Sequence, residues 1–440
     1  MRISRQAYYN RFLFIYFYLI IVTITLWFLE KDYYGAIWVP EKIMTYLGQI
    51  SGFLAIVFLS LNYIISARYS FVENLIGGLD RQYRLHMYTG IAAFFLIILH
   101  PLLLALPSLE VGSFFQNYFI PFRSNSFGQN LGILSFWLFT ILLFISSSKK
   151  LSYAIWKLTH SVIGIPFLLI AAHTVLLGSS MEYMPLEIWT ALWLGLGIWS
   201  FIYKVFLYDF IGPVYRFQIE KIERPTELLH ELYLKPIDGK AYHYKPGQFS
   251  FVQILNKDVS LEPHPFTMSS TADENFLQFS IKELGDWSKS MEKVKVGDKV
   301  KVTGPYGHFT TDNLRDSKKQ VWIGGGIGIT PFLSKIRSEL KHKSCENIYL
   351  IYSERNKENA SFIHEITKLD DVQTHLKSII HFSDEQGFLS ADQISEWVDG
   401  FEDTIFLMCG PKPMTESLSK QLISNGISPD DIIFEFFDFK

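Results

Sequence analysis

Hydrophobic positions along the chain fall into two regimes. In the first half they form six long apolar runs, roughly 12–29, 47–66, 85–106, 130–147, 154–177 and 187–206, each near the length a helix needs to cross a hydrocarbon core. Beyond about residue 210 the runs shorten. Tyr215 to Ile219 and Glu231 to Leu234 alternate as antiparallel strands do, while Lys245-Pro246-Gly247-Gln248 and Gly304-Pro305-Tyr306-Gly307 mark tight turns. From Ser317 onward, apolar strands (Gln320 to Ile323, Ile348 to Tyr352, Thr404 to Met408) alternate with helical runs such as Phe332 to Leu340, which predicts a parallel sheet. The expected fold class is multi-domain: a six-helix transmembrane part over residues 1–210, a strand-rich domain over 214–316 and an α/β domain over 317–440.

Composition sharpens this division. The 440 residues are 49% hydrophobic with a net charge of −3, averages that hide one membrane-like half and one soluble half. Near-neutral charge gives no reason to expect nucleic acid. The two cysteines, Cys345 and Cys409, both lie in the soluble half and allow a single pair at most, which fits a reducing compartment. Arg2, Arg5 and Arg11 precede the first apolar run, but that run is too long for a signal-peptide core and no small-residue cleavage site follows, so it reads as an anchor. Arg68, Arg81, Arg84, Lys149, Lys150, Lys157 and Lys204 fall on the same side as those arginines. The opposite loops carry only Lys31, Lys42 and Arg123. The positive-inside rule then places the N terminus and the soluble half in the cytoplasm.

Four histidines stand out in the apolar half. His86 and His100 lie fourteen residues apart in one run, His160 and His173 thirteen apart in another. At a helical rise of about 1.5 Å per residue, each pair spans roughly 20 Å, near opposite faces of a bilayer. Ionisable groups inside a membrane are costly, and two matched pairs suit two six-coordinate irons: His86 with His160 on the inner side, His100 with His173 on the outer. Thirteen residues leave His173 off the helical face of His160, and Pro166 between them supplies a kink that resets the phase.

The soluble half carries strand-end motifs. His264-Pro265-Phe266-Thr267-Met268-Ser269-Ser270 sets hydroxyl donors beside an aromatic ring and a cationisable group, suitable parts for a flat ring and a phosphate. Gly285-Asp286-Trp287-Ser288 is a further turn. Gly324-Gly325-Gly326-Ile327-Gly328-Ile329-Thr330-Pro331 follows a strand and opens a helix, as a loop approaching a pyrophosphate does. Ser353-Glu354-Arg355 and Cys409-Gly410-Pro411 end two other strands.

Together these residues resemble the ferric reductase and NADPH oxidase superfamily, in particular its compact bacterial oxidase-like members, over nearly the whole chain. The resemblance implies a bis-haem six-helix domain, a ferredoxin-reductase-like β-barrel for FAD and an α/β domain for the nicotinamide nucleotide. The implied cofactors are FAD, two haem b (on His86, His160, His100 and His173) and NADPH or NADH. It further implies that Phe266 and Thr267 line the isoalloxazine, with Pro265 and Ser269 beside them, and that His264 and Gly285 to Ser288 lie near the flavin phosphates. Gly324, Gly325, Gly326, Gly328, Thr330 and Pro331 would hold the nucleotide, and Cys409, Gly410 and Pro411 would lie beside the nicotinamide. A C-terminal aromatic covers the flavin in this family. Phe439 is the expected residue, with Phe437 next, and Thr267, Cys409 and Phe439 are then the residues at the reacting rings.

Arg355, just beyond a strand end and after Ser353, which is also expected at the nucleotide, is placed to pair with a 2′-phosphate and favour NADPH, while Glu354 argues mildly for NADH. The reading is a multi-pass plasma-membrane (bacterial inner-membrane) enzyme passing electrons from cytosolic NAD(P)H to an external acceptor. The acceptor is expected to be O2, giving superoxide; ferric or cupric ions and a partner protein are the alternatives. The outer loops (Glu30 to Lys42, Leu109 to Gln129, Ser179 to Glu187) carry no cluster of His, Cys or Met and no docking domain, so no obligate protein partner is expected.

Overall fold

A computed structural model describes residues 5–33, 35, 39–107, 114–123, 126–148, 150–178, 183–310, 319–342, 348–372 and 376–435. The expected domain boundary at 316/317 and the C-terminal Phe437 and Phe439 lie outside the described residues. The chain forms two compact units, Gln6–Phe210 and one built on Ile211–Lys440.

Among the described residues the regular elements of the first unit are all helices: α1 (Arg5–Tyr33), α2 (Ile43–Ser66), α3 (Ser70–Ile76), α4 (Leu79–Ala105), α5 (Phe114–Phe119), α6 (Phe127–Ser146), α7 (Tyr153–Val162), α8 (Gly164–Gly178), α9 (Met184–Ile202) and α10 (Tyr208–Ile211). A π-helical turn, Tyr203–Leu207, joins the last two. Six helical segments are long and apolar enough to cross a membrane: Arg11–Tyr33, Ile43–Ser66, Leu79–Ala105, Phe127–Ser146, Tyr153–Leu177 and Met184–Ile211. The chain is a multi-pass membrane protein. Backbone groups have no water to bond in hydrocarbon, so helices are the only economical solution for these runs. Large apolar side chains such as Phe14, Phe95 and Phe144 point outward, as they do toward lipid tails. Inside, α2 packs on α4 and α9, and α6 on α8, around Ile56, Phe58, Ala93, Phe139, Phe167 and Leu194.

The fifth span is two helices rather than one. Pro166 has no N–H to offer the carbonyl of Val162 and its ring crowds that carbonyl, so the ladder breaks at Ile163. Ile163 N–H donates to His160 O at 3.2 Å and Phe167 N–H to Ile163 O at 3.4 Å, bridging the break. This resets the face presented by His173 relative to His160.

In the second unit, strands β1 (Val214–Thr226), β2 (Leu229–Pro236), β3 (Phe249–Leu255), β4 (His264–Thr267), β5 (Leu277–Lys282) and β6 (Lys299–Tyr306) form an antiparallel sheet in the order β4-β3-β6-β1-β2-β5. A bridge between Met268 and Phe279 joins the two edges and closes it into a barrel. Leu232, Leu234, Val252, Ile254, Phe279, Ile281, Val300 and Val302 alternate inward and fill its interior. The short helix α11 (Asp286–Lys289) follows β5.

Next comes a parallel sheet of β7 (Lys319–Gly325), β8 (Ile348–Glu354), β9 (Leu376–Phe382), β10 (Thr404–Cys409) and β11 (Ile432–Glu435), ordered β11-β10-β7-β8-β9. Buried on both faces, β10 is apolar from Ile405 onward. One face packs Trp322, Leu350 and Leu407 under α12 (Thr330–His342) and α13 (Ile363–Val372). The other packs Val321, Ile323, Phe406 and Met408 under α15 (Ala391–Trp397) and α16 (Lys412–Ser424), with the short α14 (Ser383–Gln386) after β9. The order reverses between β7 and β10, and the crevice at their C-terminal ends is where such sheets bind nucleotides.

Candidate functional site

In the membrane unit the four histidines come together in two pairs. The rings of His86 and His160 have centroids 5.9 Å apart, and those of His100 and His173 6.4 Å apart. With metal–nitrogen bonds of about 2 Å and ring nitrogens about 1.1 Å from their centroids, an ion between two imidazoles would set the centroids roughly 6.2 Å apart. Both pairs fit that separation. Three of the rings are oriented by backbone carbonyls. His100 Nδ1 lies 2.8 Å from Gly48 O, His173 Nδ1 2.8 Å from Gly128 O and His86 Nδ1 3.3 Å from Asn62 O. A carbonyl only accepts, so Nδ1–H is the donor and Nε2 keeps its lone pair, the state a metal ligand requires. Among the described residues no group of three or more His, Cys, Asp or Glu converges on a bare ion.

Glycines admit the outer rings, and the sequence reading passed over them. A Cβ on Gly52 would lie 2.6 Å from His100 Nδ1, and one on Gly132 2.6 Å from His173 Nδ1 and Cε1. Each glycine stands one turn after the carbonyl that holds the same ring. The signal was available as a repeat: Gly48-Gln49-Ile50-Ser51-Gly52 in α2 and Gly128-Gln129-Asn130-Leu131-Gly132 in α6 share the pattern G-Q-x-x-G. Around His100 and His173 lies a cavity of about 400 Å³, apolar except for Glu30, Lys31, Gln49 and Gln129 and a few other polar groups. Phe167, midway between the two levels, is fully buried and stacks on Tyr63 at 4.5 Å, so it belongs to the core and does not face lipid.

In the reductase unit, β4 carries His264, Pro265, Phe266 and Thr267, paired to Val252, Phe251, Ser250 and Phe249 of β3. Trp287, from the turn of Gly285, Asp286 and Ser288, stacks on Phe266 (5.6 Å) and lies tilted against His264 (4.2 Å). Both sequence motifs thus meet at one aromatic platform. The Thr267 hydroxyl is buried without a hydrogen-bond partner, as expected of a donor reserved for a ligand. Ser269 is different: its hydroxyl donates to Gln278 O and meets Ser280 Oγ, both at 3.1 Å.

At the crevice of the parallel sheet the glycine loop and the Cys409 turn touch. A Cβ on Gly328 would lie 2.4 Å from Cys409 O, and one on Gly325 3.0 Å from Pro411 Cδ and 2.6 Å from Met414 Cε. Thr330 and Pro331 start α12 directly behind. Cys409 is fully buried; burial, with Glu435 adding to it and Lys335 opposing, pushes its thiol well above the ordinary range. It is a neutral thiol at physiological pH rather than a thiolate nucleophile. Glu435 lies opposite Cys409 in the β10–β11 register. A Cβ on Gly307 would meet both the Glu435 carboxylate (2.9 Å) and the Phe249 ring (3.1 Å), and Phe249 pairs with Thr267. Thr267, Phe249, Gly307, Glu435 and Cys409 thus form a continuous path from barrel motif to nucleotide crevice. Glu435 was missed by sequence reasoning; its only signal was a charge ending an apolar strand.

The end of β8 sorts its residues. Ser353 Oγ lies 3.0 Å from His381 Nδ1. Glu354 is buried and bonded to Lys282 Nζ at 2.5 Å, so its carboxylate is committed inside the protein. Arg355 is 75% exposed and reaches Asp384 at 3.4 Å.

Comparison with known proteins agrees with this architecture. Residues 51–172 match the family described as ferric reductase like transmembrane component, 218–348 match an FAD-binding domain and 322–420 an oxidoreductase NAD-binding domain. Over 234 residues the chain is 28% identical to flavohemoprotein A of Dictyostelium discoideum, covering 49% of this chain and 58% of that one. Over 239 residues it is 27% identical to the reductase component of propane 2-monooxygenase from Rhodococcus jostii, covering 50% and 63%. The chain thus spans about three-fifths of the length of these relatives. Among solved structures, the FAD/NAD-binding domain of nitric oxide dioxygenase from Vibrio cholerae is similar to 50% of this chain and 97% of its own, at 24% identity and a TM-score of 0.45. The chain is a membrane protein that joins a ferric reductase-like transmembrane component to an FAD-binding domain and an oxidoreductase NAD-binding domain, an arrangement consistent with the ferric reductase and NADPH oxidase superfamily.

Proposed function

We propose that this protein carries electrons across a membrane, from NAD(P)H on the cytoplasmic side through FAD and two b haems to an external acceptor, with O2 giving superoxide as the favoured outcome. The observation that carries the proposal is the two pairs of facing imidazoles, each with room for a metal ion between its rings. Bound there, the groups would supply hydride acceptance at the flavin and single-electron transfer at the irons.

The chain's own residues prepare each step. His86 with His160, and His100 with His173, would hold the two haem irons, three of these rings being kept in the ligating tautomer by carbonyls. Phe266 and Trp287 offer the flat platform for the flavin, and the Thr267 hydroxyl is available to it. The glycine loop and the buried neutral Cys409 would shape the nicotinamide end and exclude water. With Glu354 tied to Lys282, the exposed Arg355 is the group at this strand end left to meet a 2′-phosphate, which favours NADPH. If the N terminus is cytoplasmic, outward electron flow in a cell negative inside gains about 2.3 kcal/mol per 100 mV for each charge.

The test is made on purified full-length protein supplied with FAD and NADPH. Two haems per chain and cytochrome c reduction sensitive to superoxide dismutase are expected. Reduction insensitive to the dismutase, with ferric chelates reduced faster, would replace superoxide production with metal-ion reduction.

A further inference from the structure

Among the four histidines, His160 is held differently. Each of the others is oriented through Nδ1 by a carbonyl of a neighbouring helix, whereas the ring of His160 makes no hydrogen bond to any described residue. Its ring is covered instead by Trp156, one helical turn earlier, with centroids 5.3 Å apart and planes within 13°. Little else is available to orient it. None of the residues of α7 is buried, and the helix ends at Ile163, three residues after His160. No described neighbour holds the ring by a hydrogen bond, and the indole lying flat against it restricts its rotation.

We infer that Trp156 is the positioning residue of the inner site: its indole takes the place of the missing carbonyl acceptor and keeps His160 aimed at His86. This rests on the proposed haem-bearing role of the two pairs. A ligand fixed by stacking alone has no acceptor to set its tautomer or raise its basicity, so the inner axial bond on the His160 side is the weakest of the four. Removing the stack should loosen that bond and leave His100 and His173 untouched.

The test is spectroscopic and uses the full-length protein purified with haem. Ferrous wild type should bind no carbon monoxide, because both irons keep two histidines. Trp156→Leu should bind carbon monoxide at up to one haem of the two, and its hold on that haem should weaken by roughly ten-fold or more. Trp156→Phe, which keeps a flat ring, should behave as wild type. If Trp156→Leu does not accumulate, Trp156→Met carries the comparison. A wild type with two haems and a Trp156→Leu or Trp156→Met variant inert to carbon monoxide would overturn this inference alone. Reactivity at both haems would also overturn it, since the effect would not be confined to the inner site. A wild type holding fewer than two haems would overturn the haem reading and this inference together.

Discussion

The membrane unit and the reductase unit both bury polar groups around a site, and they support them in opposite ways. In the membrane unit the support is backbone: carbonyls of Gly48, Asn62 and Gly128 take the histidine Nδ1 protons, and Gly52 and Gly132 give the outer rings room. In the reductase unit it is a web of side chains. Arg337 on α12 holds Glu365 with two bonds of 2.6 and 2.8 Å, and donates to Ser269 O and Gln278 Oε1 on the barrel. Ser334 donates to Ser270 O, and Glu231 accepts from Ser280 and Tyr233. The difference follows from the solvent. A charged side chain costs several kcal/mol to place in hydrocarbon, whereas backbone carbonyls are already present in every helix and a glycine adds no polar group. Support of the first kind should fail by steric exclusion, all or none, and support of the second kind by degrees.

The largest effect is therefore expected at a glycine. In Gly132→Val the new side chain occupies the space of the His173 ring, and the protein should lose one of the two proposed haem equivalents and, with it, the proposed transmembrane electron transfer. A haem-to-protein ratio measured on the variant decides this. Gly195→Ala, where nothing lies within 4 Å of the added carbon, should change neither quantity. A Gly132→Val variant with two haems would break the contrast between the units.

A graded loss is expected at Arg337→Met. Removing one partner of a fully buried pair costs about 3–5 kcal/mol, and because Glu365 is a third exposed, roughly 2 kcal/mol is the appropriate figure here. Denaturant unfolding followed by flavin fluorescence should show the midpoint falling while the haem spectrum persists. Simultaneous loss of both signals would mean the two units do not fail independently.

What could be read from the sequence follows the same division. Strand-end motifs in the reductase unit are contiguous, and Gly324 to Pro331, His264 to Thr267 and Cys409 to Pro411 appear where their strands predict. Long-range partners such as Glu435 opposite Cys409, or Arg337 reaching Ser269, depend on tertiary register and leave no local trace. In the membrane unit the histidine spacing was legible because a helix converts residue number into depth. The glycines escaped notice because in an apolar helix a glycine passes for ordinary composition until the partner ring is placed against it. The break at Ile163 could be anticipated from Pro166, though not its exact residue.

A smaller effect belongs to Thr267→Ala. The buried hydroxyl without a partner is available to the flavin, and its loss should weaken flavin binding or slow flavin reduction by about ten-fold, the worth of one hydrogen bond of roughly 1.4 kcal/mol. Stopped-flow reduction by NADPH separates the two. An unchanged rate and affinity would mean that Thr267 is not at the ring. At Arg355→Ala, with the guanidinium exposed and screened, only about a three- to ten-fold rise in KM for NADPH is expected, and none for NADH. Equal kinetics before and after would remove Arg355 from nucleotide recognition.

The smallest effect has the opposite sign. Burial raises the Glu231 carboxyl above its ordinary range, and Glu365 adds to the shift, while Arg337 and the Ser280 and Tyr233 hydrogen bonds oppose it. A carboxyl whose folded value is raised stabilises the fold below its unfolded value, and that contribution is lost as pH rises through the folded value. At neutral pH the ionised group is therefore a small cost. Glu231→Gln cannot ionise; its one amide oxygen can still accept from Ser280, while its N–H2 takes the place of the oxygen that accepts from Tyr233 and donates to that hydroxyl instead. Its unfolding midpoint should exceed that of wild type at neutral pH, by no more than about 1 kcal/mol, and the gap should close as pH falls toward the carboxylate range. A variant less stable at neutral pH would show that Arg337 draws net stabilisation from Glu231 as well as from Glu365. The reductase web would then be a set of interdependent charges, and the graded behaviour expected of it at Arg337 would have to be replaced by a cooperative one.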